Sequence, residues 1–416
     1  MFIPCPKIPN KKKSELLKGP SNFGFSVYDS ISLVDTKHWD SIVGFGSEFL
    51  KIPYLTVLEK ERPDNMNFRY AIIYDKEKPI AIAYFQLIDF TSDSFGTIKK
   101  SEQRDACTIV SDYLKKQLTQ HLKWGADLLN MRLLICGNAC ISGEHGFTVI
   151  PDTNKKEVVD ALAEIIYSIN KAEKLGGKIA VVLIKDFYNS SVKYTNEFEE
   201  YQYHDFLVEP NMVLNIKWNT FEDYLDAMSK KYRNRAKNII KKGSSIVRKD
   251  FSSADITINA KEILSLYNNV HLKAKFRMAS LTPSYFAEMK KVLGNQFNFV
   301  GYYFDKKIIG FRTSFILENR IEAHFIGIDY SVNKELDIYQ NILYDYVKES
   351  LQNKAKQLFL GRTASEIKST LGAEALELTC FIRHRNPLSN QIIKPFVDYL
   401  KPSEWVPRNP FKEINM

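Results

Sequence analysis

Two stretches of the chain have the same β-hairpin pattern and decide the fold. The first is Phe68-Arg-Tyr-Ala-Ile-Ile-Tyr74 with Ile80-Ala-Ile-Ala-Tyr-Phe-Gln-Leu-Ile88, and the second is Phe297-Asn-Phe-Val-Gly-Tyr-Tyr-Phe304 with Ile308-Ile-Gly-Phe-Arg-Thr-Ser-Phe-Ile316. In each, β-branched and aromatic residues flank a short charged turn, which favours two paired strands. The sequence therefore predicts two copies of one structural unit.

The order of elements after each hairpin also repeats. A third strand is predicted at Arg132–Cys136 and at Arg320–Ile326, each followed by a helix with apolar residues at the 3.6-residue period. A short strand, a helix and a terminal strand then close each half, with the terminal strands around Asp205–Val208 and Glu377–Ile382. This order predicts an α/β protein with mixed α+β sheets, built as a tandem duplication.

The repeat sets the predicted domains. We expect a polar lead-in over residues 1–25, a first domain over 26–209, a second over 210–400 and a C-terminal tail over 401–416. The first domain carries an insertion at residues 91–129 with an amphipathic helix. That helix could pack on its own domain, cover a substrate or touch a bilayer surface.

Composition excludes several classes of protein. The chain has 416 residues, 44% hydrophobic and 26% charged, which is typical of a globular protein and not of a disordered or collagen-like one. Its apolar stretches are too short for a membrane-spanning helix, and no secretory signal is visible. The five scattered cysteines fit a reducing cytoplasm. Cys136 and Cys140 lack a second Cys/His pair, so no metal site is expected.

The basic residues are concentrated in one place. The net charge is +9, and residues 229–249 alone contain nine Lys and Arg and no acid. The pattern of a capping box at Thr220–Asp223 and a stop at Gly243 predicts a helix there, anchored by one apolar stripe. Its Arg233 and Arg235 could bind phosphate oxygens bidentately. The alternative is a solvated cationic face without a ligand.

Three further places contain residues suited to chemistry. The glycine-rich loop after Cys136 carries Asn138, Glu144 and His145, and a carboxylate beside an imidazole suits general base catalysis. The alternative is a loop histidine with no catalytic role. In the second half, Glu322 and His324 alternate along one strand and so share a face. They form a base and its modulator if that face lines a cleft, and are ordinary residues if it meets solvent.

The third place is the segment after the strand at residues 357–360. A glycine turn leads into a helix, and Arg362 and Lys368 stand where a helix N-terminus could hold an anion. Neither a GxxxxGK[ST] nor a GxGxxG motif is present, which disfavours nucleotide hydrolases and dinucleotide enzymes.

Residues 210–390 resemble the GNAT-like acyltransferases of the FemABX (peptidoglycan biosynthesis/recognition) group. The resemblance depends on four segments, Tyr224-Leu with Ser229-Lys-Lys-Tyr-Arg-Asn-Arg-Ala-Lys237, Ile326-Gly-Ile-Asp329, Tyr339, and Gly361-Arg with Lys368 and Leu371-Gly-Ala373. The duplicated pattern agrees with the tandem GNAT folds of that group.

The resemblance implies an N-acyltransferase that moves an acyl or aminoacyl group from a thioester or tRNA ester to an amine. The donor would add beside a splayed central strand, and a base would remove the amine proton. We expect that base to be His145 with Glu144, or else His324. The substrate-binding residues would be Asn138, Arg233, Arg235, Tyr339, Arg362 and Lys368.

The co-substrate expected from this resemblance is acyl-CoA, acyl-carrier protein or aminoacyl-tRNA, with no permanently bound cofactor. Residues 331–337 replace the pyrophosphate loop of ordinary acetyltransferases, and the long coiled-coil arm of some tRNA-using relatives is missing. We expect a cytoplasmic enzyme of cell-envelope metabolism, which could also bind peripherally to the anionic inner face of the membrane.

Two alternatives remain. One is long-chain acyl transfer to an amino-lipid base, with residues 91–129 covering the chain. The other is a non-catalytic scaffold or nucleic-acid-binding protein that uses the basic helix, although nucleic acid other than tRNA is not expected because the helix lacks an interleaved aromatic stacking motif.

Overall fold

The computed structural model describes residues 21–91, 130–175, 177–273, 280–391, 393 and 404–412. The insertion helix predicted within residues 91–129 and nearly all of the lead-in lie outside these residues. The strands are β1 (Gly24–Tyr28), β2 (Met66–Asp75), β3 (Lys78–Thr91), β4 (Asn130–Cys136), β5 (Phe147–Val149), β6 (Ile179–Phe187), β7 (His204–Asn215), β8 (Val247–Asp250), β9 (Phe297–Phe304), β10 (Lys307–Ile316), β11 (Arg320–Ile328), β12 (Gln357–Phe359) and β13 (Glu374–His384).

The helices lie between groups of these strands and are numbered here over the described residues. They are α1 (Thr36–Val43), α2 (Ile52–Lys60), α3 (Lys155–Ala172), α4 (Asn189–Thr195), α5 (Phe221–Ala227), α6 (Lys230–Lys242), α7 (Ser253–Ile258), α8 (Ala260–His271), α9 (Pro283–Leu293), α10 (Tyr330–Leu336), α11 (Ile338–Gln352), α12 (Ser365–Ser369) and α13 (Pro387–Gln391). None of the described helices has the length and apolar character needed to cross a membrane.

The predicted repeat is confirmed in the order of the elements. Hairpin β2–β3 in the first half corresponds to β9–β10 in the second, and β4 corresponds to β11. Helices α3 and α11 follow at the predicted places and bury the apolar residues that predicted them. The fold is thus a duplicated α/β unit with mixed sheets.

The sequence predicted that each terminal strand closes its own half, and this prediction is wrong. The sheet order is β1-β2-β3-β4-β6-β13-β7-β12-β11-β10-β9-β8, with β5 beside β3. Strand β13 of the second half therefore lies next to β6 of the first, and β7 of the first half lies next to β12 of the second. Strand β7 also runs through residues 209–215, where the sequence predicted the domain boundary. The apolar pattern predicted that these segments are strands but could not predict their partners.

The continuous sheet has two faces with different neighbours. The paired residues Glu322, Phe359 and Val213 point to one side, which we call the front face, and Ile321, Leu358 and Leu214 point to the back. The back of each half packs on its own apolar cluster under α3 or α11. On the front, one cluster spans both halves, with Phe49 of the first half edge-on to Phe315 of the second at 4.9 Å between ring centroids.

The predicted basic helix is two helices in the structure. The capping box at Thr220 and Asp223 is confirmed and starts α5, but α5 ends at Ala227 and α6 begins at Lys230. Met228 is extended and pairs with Phe411 of the C-terminal segment, and Ser229 N donates to Pro410 O at 2.9 Å. The predicted stop at Gly243 is confirmed as the C-cap of α6. A tertiary contact with the C-terminus thus interrupts a sequence that is helical by its own pattern.

Candidate active site

The centre of the second half contains a gap between neighbouring strands. Strands β11 and β12 run parallel and pair over only three positions, the last of which is Glu322 with Phe359. Strand β11 continues to Ile328, and no described strand pairs with residues 323–328 on the side of β12. The N–H and C=O groups of a strand edge can bind an extended ligand as an added strand. The gap is therefore a candidate ligand site.

A β-bulge in β11 accounts for this divergence. Opposite Thr313 of β10, strand β11 carries two residues, His324 and Phe325, because Ser314 pairs with Ala323 and Arg312 with Ile326. The Thr313 hydroxyl fixes the bulge by accepting from Phe325 N at 2.9 Å and donating to Phe325 O at 3.1 Å. A bulge bends its strand, so β11 turns away from β12 just beyond Glu322.

Glu322 lies at the fork of the two strands and has the properties of a base. Its side chain is only 3% exposed, and its Oε2 lies 3.3 Å from Arg320 Nε without hydrogen-bond geometry. Burial raises the pKa of Glu322 to about 7, with the charge of Arg320 opposing the rise. A carboxylate with a pKa near neutrality is well matched to accepting a proton at physiological pH.

His324, one of the predicted proton acceptors, shares the front face with Glu322 but has an aromatic environment. Its ring lies 4.9 Å from Phe315 and 6.2 Å from Phe297, and its Nε2 is 3.4 Å from the Tyr285 hydroxyl. Burial lowers the pKa of His324 to about 3. The imidazole is therefore neutral at pH 7 and is a weaker base than Glu322.

The other predicted base, His145 with Glu144, lies in the loop after β4 of the first half. His145 is 3% exposed, with Nδ1 2.7 Å from Ser47 Oγ and Nε2 3.1 Å from Ser142 O. Burial, together with the charges of Arg320 and Lys185, lowers its pKa to about 3. The Glu144 carboxylate accepts from Tyr188 N at 2.7 Å. Both side chains of this pair hydrogen-bond within the first half, and the effect of the Arg320 charge on the pKa of His145 places them near the fork of β11 and β12.

Asn138 also stabilises the loop after β4. Its side chain is fully buried, donates to Tyr54 Oη at 2.9 Å and accepts from Cys140 N at 2.8 Å. Its backbone carbonyl accepts from Lys185 Nζ at 2.7 Å. These contacts fold the loop back on β6 of the first half.

A buried ionic cluster joins this loop to the second half. Asp186, which is fully buried, accepts from Lys185 Nζ at 2.7 Å and Gly143 N at 3.2 Å, and it pairs with the predicted residue Arg362. Burial alone would raise the pKa of Asp186, but the charges of Arg362 and Lys185 outweigh it and hold that pKa at about 2. The carboxylate of the first half therefore orients a guanidinium of the second.

Lys368 stabilises the segment that contains Arg362. It is 4% exposed and donates from Nζ to Gly361 O at 3.1 Å and to Arg362 O at 2.6 Å. Burial lowers its pKa to about 7. Thr363 and Ala364 of the same segment have φ angles of 65° and 50°, a left-handed conformation that is unusual for a β-branched residue. Strained backbone held by a buried lysine is typical of a segment that positions functional groups.

Arg235 lies at a second location, beside the start of α11. A cavity of about 530 Å³ is lined there by side chains of α6 and by Asp337 and Gln340, with the cations Lys231, Arg235 and Lys242. Lys242 Nζ pairs with Asp337 at 2.9 Å. Three cations near a helix N-terminus favour an anion.

The remaining predicted residues, Arg233 and Tyr339, do not line this cavity. Arg233 pairs with the exposed Asp226 at 3.1 Å, an ion pair of small energetic value. Tyr339 N donates to Asn333 Oδ1 at 3.1 Å, and burial raises the pKa of its hydroxyl to about 12. The functional roles of all these residues stay predictions.

The structure brings Glu144, His145 and Arg362 to one region and adds residues that sequence reasoning missed. Tyr188 also lies in that region. Burial raises the pKa of its hydroxyl, the nearby charge of Glu322 raises that pKa further, and the nearby charge of Arg320 lowers it. Lys185 and Asp186 were missed although a charged pair directly after the apolar run Ile179–Ile184 is a visible signal. Among the described residues, no group of His, Cys, Asp and Glu could hold a metal ion.

Comparisons with known proteins agree on the fold. No family model matches the chain, and no curated protein matches it. A tandem GNAT protein from the clavulanic acid biosynthesis pathway superimposes with a TM-score of 0.51 at 8% identity, covering 88% of this chain and 99% of that one. FemX superimposes with a TM-score of 0.50 at 10% identity, covering 86% of this chain and 97% of FemX.

At such low identities these similarities establish the fold alone. The chain has a tandem GNAT-like fold of the FemX type. The tandem α/β duplication predicted from the repeated hairpins and the GNAT-like fold expected from the resemblance are thereby confirmed.

Proposed function

We propose that this protein is an N-acyltransferase whose donor lies along the free edge of β11 and whose proton acceptor is Glu322. The observation that carries the proposal is the fork between β11 and β12, where an open strand edge and a buried carboxylate with a pKa of about 7 occur together. The fold similarity to FemX and to a tandem GNAT protein supports the same reaction class.

The open edge of β11 suits a donor with an amide-containing arm. A pantetheine arm can pair with free N–H and C=O groups as an added strand does. The neutral acceptor amine then attacks the carbonyl carbon of the thioester, the C–S bond breaks, and the thiolate leaves and takes up a proton from water. The proton released by the amine nitrogen goes to Glu322. Oriented backbone N–H groups stabilise the negative oxygen that forms in between.

The cationic cavity beside α11 supports a donor that carries phosphate. Lys231, Arg235 and Lys242 line it, and they lie where β11 leads through α10 into the start of α11. Acyl-CoA, acyl-carrier protein and aminoacyl-tRNA, the three expected co-substrates, all carry phosphate. We propose this cavity as the phosphate site and propose an amine of cell-envelope metabolism as the acceptor.

The proposal is tested with purified full-length protein and the three donor classes, each offered with a panel of amines. We expect release of free thiol, or of deacylated tRNA, with at least one donor. Hydrogen exchange measured with coenzyme A alone should show protection of residues 323–328. Protection of β4 instead, or no turnover with any donor, would contradict the proposal.

A further inference from the structure

Buried polar atoms without a hydrogen-bond partner are concentrated at the fork. Seven such side-chain atoms occur among the described residues. Five of them belong to four residues near the junction of the two halves, namely Asn211 Nδ2 and Oδ1, Arg320 Nε, Glu322 Oε2 and Arg362 Nε. Leaving a buried polar group unpaired is costly, so such a concentration points to a ligand that completes the hydrogen bonds.

The register of the sheet places Asn211 across the fork from Glu322. Glu322 pairs with Phe359, and Phe359 pairs with Val213, two residues along β7 from Asn211 on the same face. Adjacent strands lie about 4.8 Å apart, so the backbones of Asn211 and Glu322 are separated by about 10–12 Å, with both side chains on the front. Met212 N donates to Gly361 O at 3.1 Å, which places Asn211 beside the segment of Arg362.

These unpaired groups carry both signs of charge and both hydrogen-bonding roles. Glu322 Oε2 and Arg320 Nε form an ion pair at 3.3 Å without hydrogen-bond geometry, so each can still make a hydrogen bond. Arg362 offers its Nε–H, and Asn211 offers a complete amide. Asn211 is fully buried, and the Nε of Arg362 is buried although 23% of the side chain is exposed. A simple amine would leave the Arg362 Nε–H without a hydrogen bond, and a simple carboxylate would leave Glu322 Oε2 without one.

We propose that the acceptor is an amino acid, bound as a zwitterion with its ammonium group at Glu322 and its carboxylate between Arg362 and Asn211. This inference rests on the proposed function, since it names the amine that the same site acylates. Arg362 can hold a carboxylate by its Nε while its Nη2 stays paired with Asp186. The ion pair with the first half thus sets the direction in which Arg362 presents its free donor.

The first test measures acceptor binding without any donor. Full-length protein is screened by thermal shift and by ligand-detected NMR against the twenty standard amino acids. Each amino acid that binds is compared with the amine lacking the carboxylate and with the acid lacking the amine, for example alanine with ethylamine and propionate. We expect at least one amino acid to bind at least about tenfold more tightly than both of its analogues. Equal binding of the amine, or no binding by any amino acid, would overturn the inference.

The second test uses Asn211→Leu, which removes an amide that no described residue satisfies. We expect an unchanged or higher Tm, because replacing an unpaired buried amide by an apolar group of similar size relieves a desolvation cost. Binding of the amino acid should weaken about ten- to a hundredfold. The control is Asn138→Leu, whose amide is paired and whose loss should lower the Tm. If Asn211→Leu lowers the Tm as much as the control does, the Asn211 amide stabilises the fold, and the inference is refuted.

The two proposals fail in distinguishable ways. Thiol release with amines that lack a carboxylate, at the same rate as with amino acids, would overturn the acceptor class and leave the acyltransferase intact. Binding that is selective for zwitterions, without turnover of any donor, would contradict the proposed reaction but not the amino-acid site.

Discussion

The two halves repeat the same elements but differ where the GNAT-like fold can hold a donor. In the first half, β4 pairs with β3 without a register shift and stays paired with β6 up to Cys136 and Ile184. In the second half, β11 carries the bulge at His324–Phe325 and leaves β12 after Glu322. The corresponding strands therefore stay paired in the first half and diverge in the second.

The first half is also filled by its own side chains. The loop after β4 is held by Asn138, His145 and Lys185, and the Lys185–Asp186 pair lies buried behind it. This half instead supplies β7 to the second half's sheet and Asp186 to Arg362. From this comparison we propose that the first half is a scaffold for a site in the second.

Glu322→Gln would produce the largest change, and it tests which half is catalytic. We expect kcat to fall about 10²- to 10⁴-fold, because the amide cannot accept the amine proton. In the wild type, kcat/KM should rise as the pH increases through about 7, since the deprotonated carboxylate is the active form. The measurement is a pH–rate profile of thiol release.

Glu144→Gln is the matched control in the first half, and we expect its rate within about threefold of wild type. The reverse result, with Glu144→Gln inactive and Glu322→Gln active, would assign the chemistry to the first half.

The stability of Glu322→Gln gives an independent check. Because burial raises the pKa of Glu322 from 4.5 to about 7 in the folded state, stability is lost as the pH rises between these two values. Glu322→Gln should therefore melt higher than wild type at pH 8.5 and at the same temperature as wild type at pH 4.

Asp186→Asn should give the next largest effect, on stability. The substitution leaves Lys185 and Arg362 without a buried counter-charge, which should lower the free energy of unfolding by about 3–5 kcal/mol. Asparagine tolerates the left-handed φ of 70° at this position, so the change isolates the charge. Urea unfolding measures it. Asp152→Asn, exposed and with φ of 63°, should change the stability by less than about 0.5 kcal/mol. A similar loss in both variants would contradict the role of the cluster.

Alanine substitution of one glycine in each half compares the packing of the loop after β4 with that of the segment after β12. A Cβ at Gly137 (φ 139°) would lie 2.6 Å from Lys185 Cγ, whereas a Cβ at Gly361 (φ 71°) would meet nothing within 4 Å. Gly361→Ala should cost about 1–2 kcal/mol through backbone strain alone. Gly137→Ala should cost about 1–3 kcal/mol more, because the methyl group also displaces Lys185. Equal costs in thermal unfolding would argue against a tightly filled first half.

Thr313→Val tests the bulge and should have the smallest effect. The loss of the hydroxyl contacts to Phe325 should destabilise the protein by about 1 kcal/mol and lower acyl transfer about tenfold, since the strand edge loses its fixed position. Thr195→Val is the control, because its buried hydroxyl also bonds to a carbonyl, Ser191 O at 3.2 Å. We expect a similar Tm for the two variants but unchanged activity in the control. Unchanged activity in Thr313→Val would show that the bulge is dispensable.

Much of the fold could be predicted from local pattern. Alternation in the two hairpins and the 3.6-residue period of α3 and α11 reflect which side of each element is buried, a property written in a few neighbouring residues. The capping box at Thr220 and the stop at Gly243 were predictable for the same reason. The break between α5 and α6 was not, because it depends on residues 410–411 at the far end of the chain.

The candidate site shows the same division. The pairing of Glu322 and His324 on one face followed from the period of a strand, and the positive charge of residues 229–249 followed from composition. The sequence could not predict which of four ionisable groups is the proton acceptor. These groups differ mainly in burial and partners, and they are Glu144, His145, Glu322 and His324. A pKa near 7 for Glu322 arises from desolvation, and no pattern along the chain measures desolvation.

The sequence alone determined that this protein is a duplicated α/β chain with a local cationic segment, because periodicity and composition are properties of contiguous residues. Only the tertiary structure decided that β7 and β13 exchange places, that β11 opens at its bulge, and that Asp186 reaches Arg362. Those features are contacts between residues distant in sequence, whose free energies depend on register, burial and charge pairing in the assembled sheet.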